Sequence, residues 1–255
     1  MTTGALIFAF NNDQIDYVSM AAWSAKNIER HLGIPTRIIT DQDVETVGTN
    51  GRYFSDYGTT VVWHNESRTD AYKLTPWDQT LVLDADYVVA SDQLKVLLST
   101  DQDFLAHRWA TDVTGINDFS GLNYFGNNCM PMWWATVMMF RQSVQAQLIF
   151  ETMAMVRQNW NHYRNLYKNP TPSYRNDHAL TIALGVVNAH TVNHAEIPWN
   201  LATVAPEHQL SQVDQDQYRV DFLTADQKSR YITIRNQDFH AMGKSYLGDI
   251  VANSR

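Results

Sequence analysis

Three apolar residues run directly into two acids separated by one small residue, in Leu81-Val82-Leu83-Asp84-Ala85-Asp86. A short apolar run of this kind reads as a strand buried on both faces, so carboxylates at its end must stand at the rim of a core. In an extended chain, positions two apart face the same side, and both acids can then reach one hard cation or the diphosphate bound to it. Two like charges this close are costly without a cation between them. Turns and exposed acids also produce Asp-x-Asp. Here the apolar run before it and Val88-Val89 after it are the context of a buried site at a strand end.

Such a strand needs parallel neighbours, and the chain supplies them. Ala5-Leu6-Ile7-Phe8-Ala9-Phe10 is a second apolar run, ending in the polar Asn11-Asn12-Asp13. Met20, Ala21, Trp23, Ser24, Asn27 and Ile28 then predict a helix, with Gly33 as its stop and Pro35 beyond it. Thr36-Arg37-Ile38-Ile39-Thr40 predicts the next strand, with Asp41 at its open end. This is the strand-helix-strand opening of a doubly wound sheet, in which ligands bind outside the C-terminal strand ends. Phe10, Asn11, Asp13 and Asp41 are therefore the residues expected against a nucleotide. Further strands are predicted at Thr59 to Trp63, Phe104 to Ala106 and Val137 to Phe140. Helices are predicted at Ser67 to Leu74, ended by Pro76, from a capped start at Ser91-Asp92-Gln93-Leu94, as one long element from about Val144 to Tyr167, and from about Asp177 to Val187. The expected class is α/β, with a mainly parallel central sheet and helices on both faces. We expect one domain over residues 1–255, with a Gly- and Asn-rich insertion or lid near 110–132.

Composition removes several alternatives. At 255 residues and 44% hydrophobic, the chain can bury a large core. Its formal charge of −8, from 27 acidic and 19 basic residues, argues against coating of phosphate backbones by bulk electrostatics. Arg141, Arg157, Arg164, Lys168 and Arg175 nevertheless face only Glu151 and Asp177 between Arg141 and His178, with Trp160, Tyr163, Tyr167 and Tyr174 interleaved. That stretch reads either as a solvated helix face over packed aromatics or as a surface for nucleic acid or sugar. Cys129 is the single cysteine, which excludes an intramolecular disulfide and argues against a thiolate zinc site. No apolar stretch approaches the ~18 residues of a membrane span, and Met1 to Phe10 has no basic leader segment. The expectation is a soluble, cytoplasmic protein with no membrane partner.

The segment from Ser67-Arg68-Thr69-Asp70 through Leu74-Thr75-Pro76-Trp77 to Leu83-Asp84-Ala85-Asp86 resembles the basic-residue, Leu-x-Pro-Tyr, Leu-Asp-Ala-Asp block of glycogenin-like, retaining nucleotide-sugar glycosyltransferases of the GT-A fold. Asp238-Phe239-His240-Ala241-Met242-Gly243-Lys244 is similar to the family's C-terminal His-x-x-Gly segment and lysine, although here the lysine follows the glycine directly. The resemblance implies a metal held by Asp84, Asp86 and His240, Mn²⁺ or Mg²⁺, and a UDP-sugar donor whose diphosphate meets Lys244 and whose sugar lies by Arg68, with Ala85 between the acids. A mixed oxygen and imidazole set suits manganese. Tyr174-Arg175-Asn176-Asp177 matches the place of an acid that closes on donor sugar or acceptor, so catalytic roles fall on Asp177 and Arg68; Asp177 equally suits a helix N-cap. The family's Asn-Ser-Gly is absent, and Met132-Trp133-Trp134-Ala135-Thr136 stands in its place.

Trp133-Trp134-Ala135-Thr136, Tyr174-Arg175-Asn176-Asp177 and Ile197-Pro198-Trp199, in that order, also resemble glycosyltransferase-like chains of large tailed bacteriophages, which implies an acceptor in a glycan or a hydroxymethylated base of DNA, such as 5-hydroxymethylcytosine, in the host cytoplasm. His107, Arg108, Trp133 and Trp134 are the residues expected at the sugar or acceptor. Two other classes remain in view. A sugar-1-phosphate nucleotidyltransferase would carry a Gly-rich loop where this chain has Asn11-Asn12-Asp13-Gln14, and a non-catalytic nucleotide-sugar-binding protein would have no need of all three metal-site residues.

Overall fold

The structure is a computed structural model that describes residues 1–43, 52–54, 60–62, 64–127, 130–171, 173–191 and 194–254. Its central sheet has the order β2-β1-β5-β11-β7, built from β1 (Thr3–Phe8), β2 (Thr36–Ile39), β5 (Gln79–Leu83), β7 (Phe104–His107) and β11 (Trp134–Arg141). β1 runs parallel to β2 and β5, while β11 lies antiparallel between β5 and β7. Alternate residues of these strands serve two different cores, the period-2 consequence of a strand buried on both sides. Ala5, Ile7, Leu81, Leu83, Val137 and Met139 face one cluster, and Leu6, Phe8, Val82, Met138 and Phe140 face the other.

Helices cover both faces, as expected. On the first lie α1 (Tyr17–Leu32) and α7 (Lys244–Asn253), through Met20, Ala21 and Ile28 and through Leu247, Ile250 and Val251. On the second lie α4 (Val144–Gln158) and α6 (Asn176–Val187). α1 is bounded as the sequence predicts. Asp16 accepts from the Ser19 amide at 3.0 Å, and Gly33, at φ 70°, ends the helix in the left-handed conformation that costs glycine little.

A second sheet, β6-β16-β12-β8, continues the first core: β6 (Tyr87–Val88), β8 (Ala110–Asp112), β12 (Leu201–Val204) and β16 (Phe239–Ala241). Between β12 and β16 the chain folds an antiparallel meander of β13 (Gln209–Asp214), β14 (Gln217–Leu223) and β15 (Ser229–Arg235). No element is expected there from the apolar runs above, yet Tyr218, Val220 and Phe222 alternate as a one-sided strand should. Tyr218 is buried edge-on against Phe239, and Asp216 meets Arg30 and His31 at the end of α1. The stretch 110–131 contributes β8, a short 3-10 turn at Ser120–Leu122, and the paired β9 (Tyr124–Phe125) and β10 (Met130–Pro131). β3 (Arg52–Phe54) pairs with β4 (Thr60–Val62), while Thr59 and Trp63, at the two ends of that expected strand, and Cys129 lie outside the described residues.

Three local expectations are corrected. The long helix from Val144 to Tyr167 is two, α4 and α5 (Trp160–Leu166), because the Asn159 side chain donates to the Met155 carbonyl and its backbone leaves helical geometry (φ −117°, ψ 32°). Ser91 does not cap a helix: its hydroxyl donates to Asp238, and α3 (Lys95–Leu98) begins after Leu94 with no side-chain cap. The Ser67–Leu74 helix is a 3-10 turn over His64–Asp70 continued by α2 (Ala71–Leu74).

β1 packs against Trp77 so closely that a Cβ at Gly4 would lie 2.2–2.5 Å from three ring atoms. Gly4→Ala is expected to destabilise the fold by about 1–3 kcal/mol through overpacking, read as a lowered urea midpoint at unchanged m-value.

Candidate functional site

Asp84 and Asp86 reach the end of β5 by a different local route from the one expected. The chain does not stay extended. Ala85 and Asp86 occupy a turn closed by the Tyr87 amide donating to the Asp84 carbonyl at 3.0 Å, and Asp84 is held to β11 by its amide donating to the Thr136 carbonyl at 2.9 Å. The acids converge because the turn folds them together, rather than by strand alternation. β6 then pairs with β16, placing His240 opposite Tyr87, and the Ala241 amide donates to the Asp86 carbonyl at 2.9 Å. One ladder thus delivers a histidine from the far end of the chain to the acidic turn. Ligand atoms of Asp84, Asp86 and His240 all lie within 4.8 Å of one another.

Each acid has its own cation. Arg68, buried at the end of its 3-10 turn, donates to the Asp84 carboxylate and, at 3.1 Å, to the Ala135 carbonyl. His240 Nε2 stands 3.5 Å from Asp86, and Lys244 Nζ 3.1 Å from it. Burial raises the Asp84 carboxyl above its ordinary range even beside Arg68. For Asp86, burial pushes upward too, but His240 and Lys244 outweigh it and hold the carboxyl well below that range. The reciprocal effect raises Lys244, chiefly through Asp86, and His240, where burial is overcome by the two acids. The donor set fits a divalent cation: two carboxylates and an imidazole converge, and the buried Nδ1 of His240 meets no hydrogen-bond partner among the described residues.

These groups line a cavity of about 440 Å³ at the C-terminal ends of β1 and β5. Phe10, Asn11, Ala85, Trp134 and Asp177 line it with them. Asp177 is not the N-cap of α6; Arg175 holds that position, and the Asp177 carboxylate accepts from the Ala135 amide at 2.8 Å and from Arg175 at 3.2 Å. Ala135 therefore ties Arg68 and Asp177 together, carbonyl to one and amide to the other. Asn11 is partly committed as well, its side-chain oxygen accepting from the Val18 amide at 2.9 Å.

Other expected residues lie elsewhere. Asp13 and Asp41 are exposed and do not line the cavity, because the loop after β1 turns back through Asn12 onto Gln14 and Ile15, and the chain after β2 turns through Thr40 and Asp43. His107 is fully buried, bonded through Nδ1 to the Trp199 carbonyl at 3.0 Å and pushed down to about 4 by burial. Arg108 lies over the Trp109 ring, and Trp133, on the opposite strand face from Trp134, lines a separate cavity of about 400 Å³ with Tyr167, His190 and His194. In the Arg141 to His178 stretch the packed-aromatic reading is the one observed: Trp160, Tyr167 and Tyr174 are buried, Arg141 donates to the Thr100 carbonyl and Arg157 pairs with Asp70.

Tyr17, Thr136, Ser173, Arg175 and Met242 line the cavity without having been expected there. Tyr17 begins α1 just after the polar loop that follows β1, and that position was its only sequence signal. Burial raises its phenol, countered by Lys244.

Solved glycosyltransferases are among the structures to which the chain is similar. One is GlyE of Streptococcus pneumoniae TIGR4, at 14% identity and TM-score 0.43, covering 78% of this chain and 46% of that one. The second is the galactosyltransferase LgtC in complex with donor and acceptor sugar analogues, at 15% and 0.42, covering 71% and 70%. The third is a glycosyltransferase involved in glycosylation of the major capsid of PBCV-1, at 14% and 0.37, covering 68% and 77%. The chain thus spans less than half the length of GlyE. No protein-family model matches the chain, and no curated protein matches it by sequence. Among the described residues no helix is long and apolar enough to cross a membrane.

Proposed function

We propose that this chain is a metal-dependent glycosyltransferase that moves a sugar from a nucleoside diphosphate sugar, with UDP as the nucleotide, to a hydroxyl acceptor. The observation that carries this reading is the meeting of Asp84, Asp86 and His240, with Lys244 and Arg68 beside them, in one cavity at the ends of parallel strands. Asp84, Asp86 and His240 would hold Mn²⁺ or Mg²⁺, which would supply Lewis-acid stabilisation of the departing diphosphate. Arg68 keeps Asp84 in place from below and adds fixed positive charge to the cavity. Lys244, at the start of α7, meets the diphosphate together with the positive end of that helix.

In the reaction the bond from the anomeric carbon to the β-phosphate oxygen breaks, and one from that carbon to the acceptor oxygen forms on the same face. The acceptor proton passes to the leaving phosphate, so no side-chain base is required. Asp177, fixed by the Ala135 amide and Arg175, faces the cavity where it can orient the sugar or acceptor hydroxyls. Phe10, Asn11 and Tyr17 form the wall for base and ribose, and Trp134 offers a ring to the sugar. The acceptor is a glycan or a hydroxymethylated base, approaching past Ser173 and Arg175, which are exposed residues of the cavity lining.

The test is to incubate the protein with manganese and a panel of nucleotide sugars, with free glycans or 5-hydroxymethylcytosine DNA as acceptors, and to follow nucleotide diphosphate release. UDP release that stops on adding chelator is expected. Pyrophosphate formed from UTP and a sugar phosphate would replace this reading with a nucleotidyltransferase, and tight binding without turnover would replace it with a binding protein.

A further inference from the structure

The acidic turn carries counter-charges of its own. Arg68 and Lys244 supply two positive charges to the two carboxylates of Asp84 and Asp86, each in direct contact. The two cations differ in freedom. The Arg68 side chain is 3% exposed and fastened to the Ala135 carbonyl as well as to Asp84, whereas that of Lys244 is 37% exposed and has Asp86 as its ion-pair partner. Lys244 is also the first residue of α7, whose N-terminus has no side-chain cap. A cation there is opposed by the helix dipole, so its favourable interaction is with an anion in front of the helix. In the structure that anion is Asp86.

We infer that Lys244 is a placeholder cation, which opposes entry of a divalent cation on its own and leaves Asp86 for the diphosphate when both enter, so that the two ligands bind with strong positive coupling. This rests on the reading of the site given above. A dication bound to Asp86 alone would sit within several ångströms of the Lys244 ammonium, and the cavity would carry two uncompensated positive charges. The diphosphate removes that excess and gives Lys244 a new partner. The coupling is reciprocal: the cation raises affinity for the diphosphate as much as the diphosphate raises affinity for the cation.

The test is calorimetric titration of Mn²⁺, with and without saturating UDP, into the unmodified protein and into Lys244→Met and Lys244→Arg. The unmodified protein is expected to bind Mn²⁺ weakly alone and about tenfold or more tightly with UDP. Lys244→Met is expected to bind Mn²⁺ alone about tenfold more tightly than the unmodified protein and to lose most of the enhancement by UDP, while Lys244→Arg keeps the original pattern. Equal Mn²⁺ affinity in Lys244→Met and the unmodified protein, or no effect of UDP on it, would overturn the placeholder role and leave the metal-site reading standing. Absence of Mn²⁺ binding in every combination would overturn both.

Discussion

Asp86→Asn should leave a folded protein that turns over its donor at least ~10³-fold more slowly, a loss of about 4 kcal/mol of transition-state stabilisation. The substitution keeps the volume of the side chain and removes its charge. Both His240 and Lys244 touch that charge, at 3.5 and 3.1 Å, so its loss affects the metal site and the diphosphate contact together. The backbone of the turn is held independently, by the Asp84 carbonyl, the Thr136 carbonyl and the β6–β16 ladder. The fold should therefore tolerate the change. Nucleotide diphosphate release measured beside a thermal melt separates the two effects, and turnover above a tenth of the original would remove Asp86 from the mechanism.

Mild acid should unfold the protein cooperatively, because the buried His107 and His178 and the half-buried His194 are held in their neutral form. His107, His178 and His194 are each pushed down to about 4, in every case mainly by burial. The sign follows from the depression. Unfolded histidines titrate near 6.5, so their contribution is fully present above that pH and is lost as pH falls from about 6.5 towards 4. Asp238, which burial raises to about 6, and Asp84, also raised, work in the opposite direction over the lower part of this window. His240, being raised, matters only above it. Unfolding should then take up between one and two net protons, a fall of roughly 1.4–2.7 kcal/mol per pH unit. Urea midpoints at pH 7, 6 and 5 measure this directly. His107→Leu should lower the slope by about one proton whatever it does to stability at pH 7, and an unchanged slope would mean that His107 is not neutral in the folded protein.

Much of the sheet was legible because its signals are local. Ala5–Phe8, Leu81–Leu83 and Val137–Phe140 are apolar runs of strand length, and each lies in a buried strand, while Ile38–Ile39 marks the shorter β2, of which Ile39 is buried and the other residues are half-buried. The breaks in the pattern were harder. Asn159 ends α4 through one side-chain hydrogen bond that apolar periodicity does not register. The meander of β13 to β15 was missed although Tyr218 and Val220 alternate correctly, because a half-exposed strand offers few apolar residues per turn of chain. Arg141 to His178 allowed two readings in sequence, and Trp160 packed edge-on against Tyr174 in the core agrees with the one of packed aromatics beneath a solvated helix face.

For the site, the sequence by itself determined which groups are chemically competent. Asp84 and Asp86 at the end of an apolar run, and a distant His240 and Lys244, follow from residue type and resemblance. The resemblance also implies their meeting around one cation, and the described side chains do converge. Only the tertiary structure decided that β16 pairs with β6 directly after the acidic turn, which brings a histidine to within 3.5 Å of Asp86 across more than a hundred and fifty residues of chain. It also decided against His107 and Asp41, which stand at strand ends in sequence but face the core and the solvent. The physical reason is that strand periodicity fixes a side chain's face within its own strand, whereas the partner across a ladder is chosen by global packing. A buried pair of like charges restricts that choice, since such a turn is stable only where the fold delivers cations to it, and here it delivers Arg68, His240 and Lys244.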